Sequence, residues 1–600
     1  MPTENQLKKF TIVDSFAAGY KDKRDVTKEK PGSSIVGSQN IVTVDGEKIG
    51  IRQGYSIFGA ANSSATGIKG GGNWKTHTGT QFPWRSYDDE LEFYTTVPAT
   101  DAWTRLSNGY TVGSPFRAES IWNTTEVQDL LLFVKGDADI DMWSGGTALL
   151  TSATANTITK TGTTTWAEER FLTAGTTIVT INGTDYTYTG GETTTTLTGV
   201  TPDPSGEAAT SLVVQTLRTS ANTPASGFDN DFLAILDNQL YTFDKERRDI
   251  FISATGDYTD YTFSSPRVPA EGALLTLDEP PTAAYPLNDK MAISTENYWY
   301  LVKFTLSGDN TAEYIQIERL KSSPLEGAAF DLGVAPMKNF VVNVSGETTI
   351  DTLGNIQDVI TPQSTNLSDP IKNTIGDLNF TSTCVKYHKN NLYIGCNNNA
   401  NANNRILVYN LAQGIWETPW TIPASVLFEY EGDLYAHSST VPETYKLLDG
   451  YEDNATPISA KWFSSWMDYG RPFNKKEFDT MWVEGYTLPG TDLDILISYD
   501  FGEETVSYTL KGTNTDVVIA PTGGGLGTYS LGSRSLGGRG ETLDDSGLRR
   551  FRGFIPVPIR HFYEVQTSFQ SNGQDLRWEI TSYGFNTRQV DAQDNNKKIT

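Results

Sequence analysis

The chain has 600 residues, 37% hydrophobic and 20% charged, with 73 acidic against 47 basic side chains and a formal net charge of −26. That length is ample for several cores. So acidic a balance fits a dedicated DNA binder poorly, because phosphate neutralisation needs Lys and Arg; its plainest use is solubility, though it would also suit a passage through which DNA slides without sticking.

The N-terminal "MPTENQLKKFTIVDSF" lacks the apolar stretch of a signal peptide, and no apolar run approaches the ~20 residues of a membrane helix. The expectation is a soluble chain made in the cytoplasm. Residues 1–65 read as an arm and a first β-hairpin. In "NIVTVDGEKIGIRQGYSIFG" (40–59) alternating residues flank the turn Asp45-Gly46, a strong hairpin signal. "GIKGGGNWKTHTGT" (67–80) reads as a flexible loop.

From about residue 128 one theme recurs: an apolar strand, a polar turn, then a strand opening on leucine or an aromatic residue. Turns fall at Asp237-Asn238, Glu296-Asn297, Asn390-Asn391 and Gly432-Asp433. Leu392-Tyr393 and Leu434-Tyr435 lie 42 residues apart, a propeller-blade spacing. The pattern predicts an all-β protein: an irregular β-propeller in two parts (66–149 and 223–455), a small inserted β-sandwich, and a C-terminal β-sandwich. A stack of β-sandwiches is the competing arrangement. The Thr-rich insert (150–222) has Trp166, Phe171, Ile178, Ile181, Tyr186 and Tyr188 as its expected core. The C-terminal sandwich covers 456–590, interrupted by a Gly-rich loop at 522–547, and 591–600 form a polar tail.

Candidate chemistry is sparse. In "DIFISATGDYTDYTF" (249–263) Asp257 and Asp260 stand three apart. The spacing of a calcium loop fails there, and Asp residues that cap turns explain the pair better. The segment is a reversed, faint likeness of the Asp-box hairpin of sialidase propellers, itself a fold element. Asp137, Asp139 and Asp141 alternate along one predicted strand face, which suits a solvated edge better than a cation site. The four histidines (His77, His388, His437, His561) form no HExxH pattern, and no GxSxG elbow occurs; His388 and His437 read as surface or packing residues. Cys384 and Cys396, the two cysteines, read as buried free thiols near one another on paired strands. No metal or cofactor is implied. Arg534, Arg539, Arg549, Arg550, Arg552 and Arg560 form a basic island in an acidic chain, a candidate docking surface for an acidic partner.

Four stretches together resemble bacteriophage virion proteins of the tail-nozzle, or tail tubular B, type. In "PGSSIVGSQNIVTVDGEKIGIRQGY" (31–55), Asn40, Asp45-Gly46 and Arg52 to Gly54 carry the likeness, with Gln53 where the family has Pro. In "RRDIFISATGDYTDYTF", Ser253, Thr255, Gly256, Asp260 and Tyr261 carry it. "NRILVYNLAQGIWE" (404–417) and "ISAKWFSSWMDYGRP" (458–472) are similar to the last blade and the sandwich entry. The resemblance implies a propeller protein in the virion tail, assembled as a homo-oligomeric ring of six copies. Such a ring contacts an adaptor and fibres, and DNA passes through its channel without specific binding. It implies no catalysis and no membrane segment. A tail adhesin binding host glycan, and a propeller glycosidase working through two carboxylates, are the alternatives.

Overall fold

The computed structural model describes residues 9–589 except 23–28, 60–65, 97–101, 172–177, 320–326, 354–364, 470–474, 512–517, 520–548, 572–576 and breaks of three residues or fewer. Among the described residues, seven units follow one another as blades: six are four-stranded and antiparallel, and the last carries two short strands beyond its fourth. Their innermost strands are Gly70–Lys75, Arg117–Asn123, Phe232–Leu236, Pro281–Leu287, Val334–Met337, Asn379–His388 and Ala424–Tyr430. Each lies against the next, and the last lies against the first, which closes the ring. The fold is therefore a β-propeller.

Blade faces are apolar on both sides, as strands sandwiched between neighbours must be. Ile121, Leu130, Leu132 and Met142 of the second blade meet Leu233 and Leu240 of the third. Cys384 and Cys396 are free and buried. They sit on adjacent strands but in different clusters: Cys384 packs toward the seventh blade and Cys396 toward the fifth. Burial pushes the Cys384 thiol up to about 12.

The predicted loop at 67–80 is corrected in its middle. Gly70–Lys75 is the first blade's innermost strand. Glycine there signals close approach, not freedom: a Cβ on Gly71 would lie 2.1 Å from the ring of His437.

The first hairpin forms as its sequence suggests, with Asp45 and Gly46 at φ 54° and 74°. Its destination is different. Ile41–Val44 pairs with Lys48–Ile51, which joins Trp578–Gln589 of the C-terminal sandwich, and Lys9–Val13 pairs with that same strand. The next strand, Tyr55–Ile57, crosses to the propeller and becomes the fourth strand of the seventh blade, opposite Tyr445 to Leu447. Pairing between residues some 400 apart leaves no local pattern to read. Arg52 marks the crossing: fully buried, it binds Asp453 at 2.6 and 2.9 Å and Asn40 at 2.9 Å.

The sandwich packs the sheet holding Lys476–Thr487, Arg549–Pro556 and Trp578–Gln589 on a second sheet of Lys461–Phe463, Val565–Ser571, Asp492–Tyr499 and Glu504–Lys511. Trp462, Phe478, Ile495, Phe569 and Tyr583 are in its core. The insert runs from Thr147 to Gln215, between the third and fourth strands of the second blade. Thr147–Thr154 bends at a bulge and serves two sheets. Trp166, Phe171, Ile181, Tyr186 and Tyr188 are buried in the insert's own core, while Ile178 is half-buried.

Candidate functional site

One cluster of buried charge draws on several blades at once. Asp331, in the short 3-10 turn Asp331–Gly333, is clamped by Arg117 of the second blade and by Lys245 of the third, the latter at 3.2 Å. Phe330 lies under both cations, 5.1 Å from the Arg117 guanidinium and 4.9 Å from the Lys245 ammonium. The turn also touches the innermost strands of the fourth and sixth blades, and Leu332 reaches the core between the sixth and seventh. Contacts with so many blades place Phe330–Gly333 across the axis, at the end where the innermost strands begin. Burial alone would raise the Asp331 carboxyl. The guanidinium and ammonium beside it outweigh that and hold it below its ordinary value.

Glu119 stands two residues beyond Arg117 on the same strand face. It is open to solvent yet walled by protein, and that desolvation pushes its carboxyl up to about 7. Among the described residues, Glu417 is the other carboxyl pushed up to about 7 by burial. It follows the outermost strand of the sixth blade and accepts the Thr43 N–H at 2.7 Å. One carboxyl is innermost and the other peripheral, so the two do not make the close pair that glycoside hydrolysis uses.

Asp257 accepts from the Thr259 N–H at 3.0 Å and its hydroxyl at 2.6 Å; Asp260 does the same with Thr262 at 2.9 and 2.7 Å. Two successive Asx turns build this corner of the third blade. Asp137 and Asp141 share Lys135, at 2.8 and 3.5 Å. Among the described residues no group of three or more His, Cys, Asp or Glu is placed to hold a metal ion.

The basic island is only partly described: Arg534, Arg539 and Arg560 lie outside the described residues. Arg549 sits opposite Thr487 in the sheet. Arg550 and Arg552 both bind Glu484 on the neighbouring strand, Arg552 at 2.9 Å. Burial works against the Glu484 carboxyl, but the two guanidiniums hold it below its ordinary value. These two arginines are committed within the sheet, which leaves less of the island for docking than its spacing implies.

Sequence reasoning missed the structural weight of two histidines. His437 is buried between the seventh and first blades, with Nε2 3.0 Å from the Trp84 carbonyl and Nδ1 2.9 Å from the Thr444 hydroxyl. Burial, with Arg85 nearby, pushes its pKa down to about 3. His77 meets Asp129 at 2.9 Å. The clue for His437 was Gly71, which makes room for its ring.

No protein-family model matches the sequence, and no curated protein does. Among solved structures, the chain is similar to the β-propeller domain of Cps50 (Swd1) from Myceliophteria thermophila. Identity is 9% and the TM-score 0.34, over 64% of this chain and 98% of that one. Among the described residues no helix is long and apolar enough to cross a membrane.

Proposed function

We propose that this chain is a structural protein of a bacteriophage virion, a tail nozzle whose copies form a ring that retains and then releases the genome. The observation that supports this reading most directly is the position of the stretch most like that family. Residues 31–55 help tie the sandwich to the propeller through Asn40, Arg52 and Asp453. A component that must withstand internal pressure gains from such a tie.

The closed axis adds a constraint. Phe330–Gly333 lies across each propeller's own axis, so the genome would pass between subunits and not through a propeller. Head-to-tail contacts that close on themselves build such a ring, and the net charge of −26 would repel phosphate from its lumen. Cryo-electron microscopy of the parent particle with symmetry left free tests this. A six-fold ring on the tail axis is the expected result. Trimers or fibres at the periphery would move the function to host attachment, and absence from the particle would overturn the reading.

A further inference from the structure

Between the insert and the first two blades lies a cavity of about 450 Å³, within the range of small-ligand sites. On the propeller side its groups are fixed from behind by one buried carboxylate. Asp129, 8% exposed, accepts the His77 backbone N–H at 2.9 Å, contacts His77 Nδ1 at 2.9 Å, and accepts from Arg170 Nη2 at 3.3 Å. A carboxylate can only accept, so Nδ1 carries a proton, and Nε2 is the nitrogen left for a further partner on a ring that is 59% exposed.

Arg170 comes from the insert. Its backbone sits at φ 69°, a left-handed conformation that a non-glycine residue adopts at a cost. That conformation is held by the Ser144 hydroxyl, which donates to the Arg170 carbonyl at 2.5 Å. The guanidinium is stacked 5.2 Å from the Trp74 ring. Phe82, packed 5.4 Å from Trp74 and 5.2 Å from Trp143, adds an aromatic face. Thr80 and Thr147 line the same space, and Glu168 and Glu169 border it on the insert side.

This set combines donors, acceptors and an aromatic surface in a small volume. Its two carboxylates disfavour a phosphate or nucleic-acid ligand, and its many polar groups disfavour an apolar one. Hydroxyls with an apolar C–H face match it. We propose that the crevice between insert and propeller is a binding site for a saccharide of one or two sugar rings. The site stands independently of the ring reading: a nozzle needs no such crevice, and an empty crevice would leave the ring untouched.

The test is saturation-transfer NMR on the full chain with methyl glycosides of glucose, galactose, N-acetylglucosamine and glucuronic acid at millimolar concentration, and inorganic phosphate alongside. Transfer to at least one glycoside is expected, weakened about tenfold by loss of one hydrogen-bonding partner in His77→Ala or Thr147→Val. Both variants should keep the wild-type melting temperature. Thr147→Val keeps the strand and its shape, so it remains informative if His77→Ala folds poorly. No glycoside signal, signal from phosphate alone, or binding undiminished in both variants would overturn the proposal.

Discussion

Every strand of the insert finds its partner between Thr147 and Gln215, and its core of Leu150, Trp166, Val179 and Leu197 is drawn from that segment alone. The seventh blade, by contrast, takes its fourth strand from Tyr55–Ile57, and the C-terminal sandwich takes three strands from before residue 52. Local pairing makes a part that stands alone. Distant pairing makes two parts that stand only together, because one stretch of chain completes both. The difference teaches where cooperativity should lie: propeller and sandwich share it, and the insert has its own.

The hardest way to break this contrast is to remove residues 1–58. Loss of soluble folded propeller and sandwich is the expected outcome, while residues 147–215 expressed alone should still bury Trp166, read by its fluorescence. A folded propeller in the truncated chain would refute the shared-closure argument. Next in size is Arg52→Ala. It leaves Asp453 facing the seam without its cation, and the loss should be about 3–5 kcal/mol, seen in urea denaturation as one shifted transition for propeller and sandwich together. Trp166→Ala should cost a similar amount, about 3–5 kcal/mol, but in the insert's transition only; hydrogen exchange mapped along the chain separates the two cases.

Smaller effects sharpen the picture within the ring. Gly71→Ala drives a methyl into the His437 ring and should cost about 1–3 kcal/mol by overpacking, measured as a drop in propeller melting temperature. Comparable in size between pH 7 and 5 is the pH dependence due to His437. Its native pKa is about 3 against an ordinary 6.5, so the unfolded chain takes up a proton that the folded chain refuses. Stability from this group is complete above 6.5 and falls as pH drops toward 3, by up to about 1.4 kcal/mol per unit. His437→Gln should flatten that slope in melting curves between pH 7 and 5.

Much of this architecture was legible where geometry is local. Asp45-Gly46, Asp237-Asn238 and Asn390 adopt positive φ, and Asn, Asp and Gly are the residues that tolerate it. The 42-residue interval between Leu392 and Leu434 falls on the second strands of neighbouring blades. The insert's aromatic residues fell into one core because none had a distant partner. What stayed hidden depends on separation. Nothing near Tyr55 points to Leu447, and nothing near Ile49 points to Ile580. The triple glycine looked like a flexible loop because the His437 ring that Gly71 accommodates lies more than 350 residues away. The candidate site was hidden for the same reason: His77, Asp129 and Arg170 are unremarkable singly, and only the docking of insert on blade brings them together.

The closure of the seventh blade also sets a clock. Tyr55 leaves the ribosome long before Leu447, its partner in the sheet. At ~5–20 residues per second of synthesis, the wait is roughly 20–80 s. Through that interval the early strand has an open edge, and six blades can form without a ring to belong to. The sandwich waits longer still, for Trp578–Gln589. The insert has no such delay and is complete while the rest is still being made. Whatever shields the first sixty residues during translation therefore decides how much of this chain ends as a closed ring and how much is lost to edge-to-edge pairing.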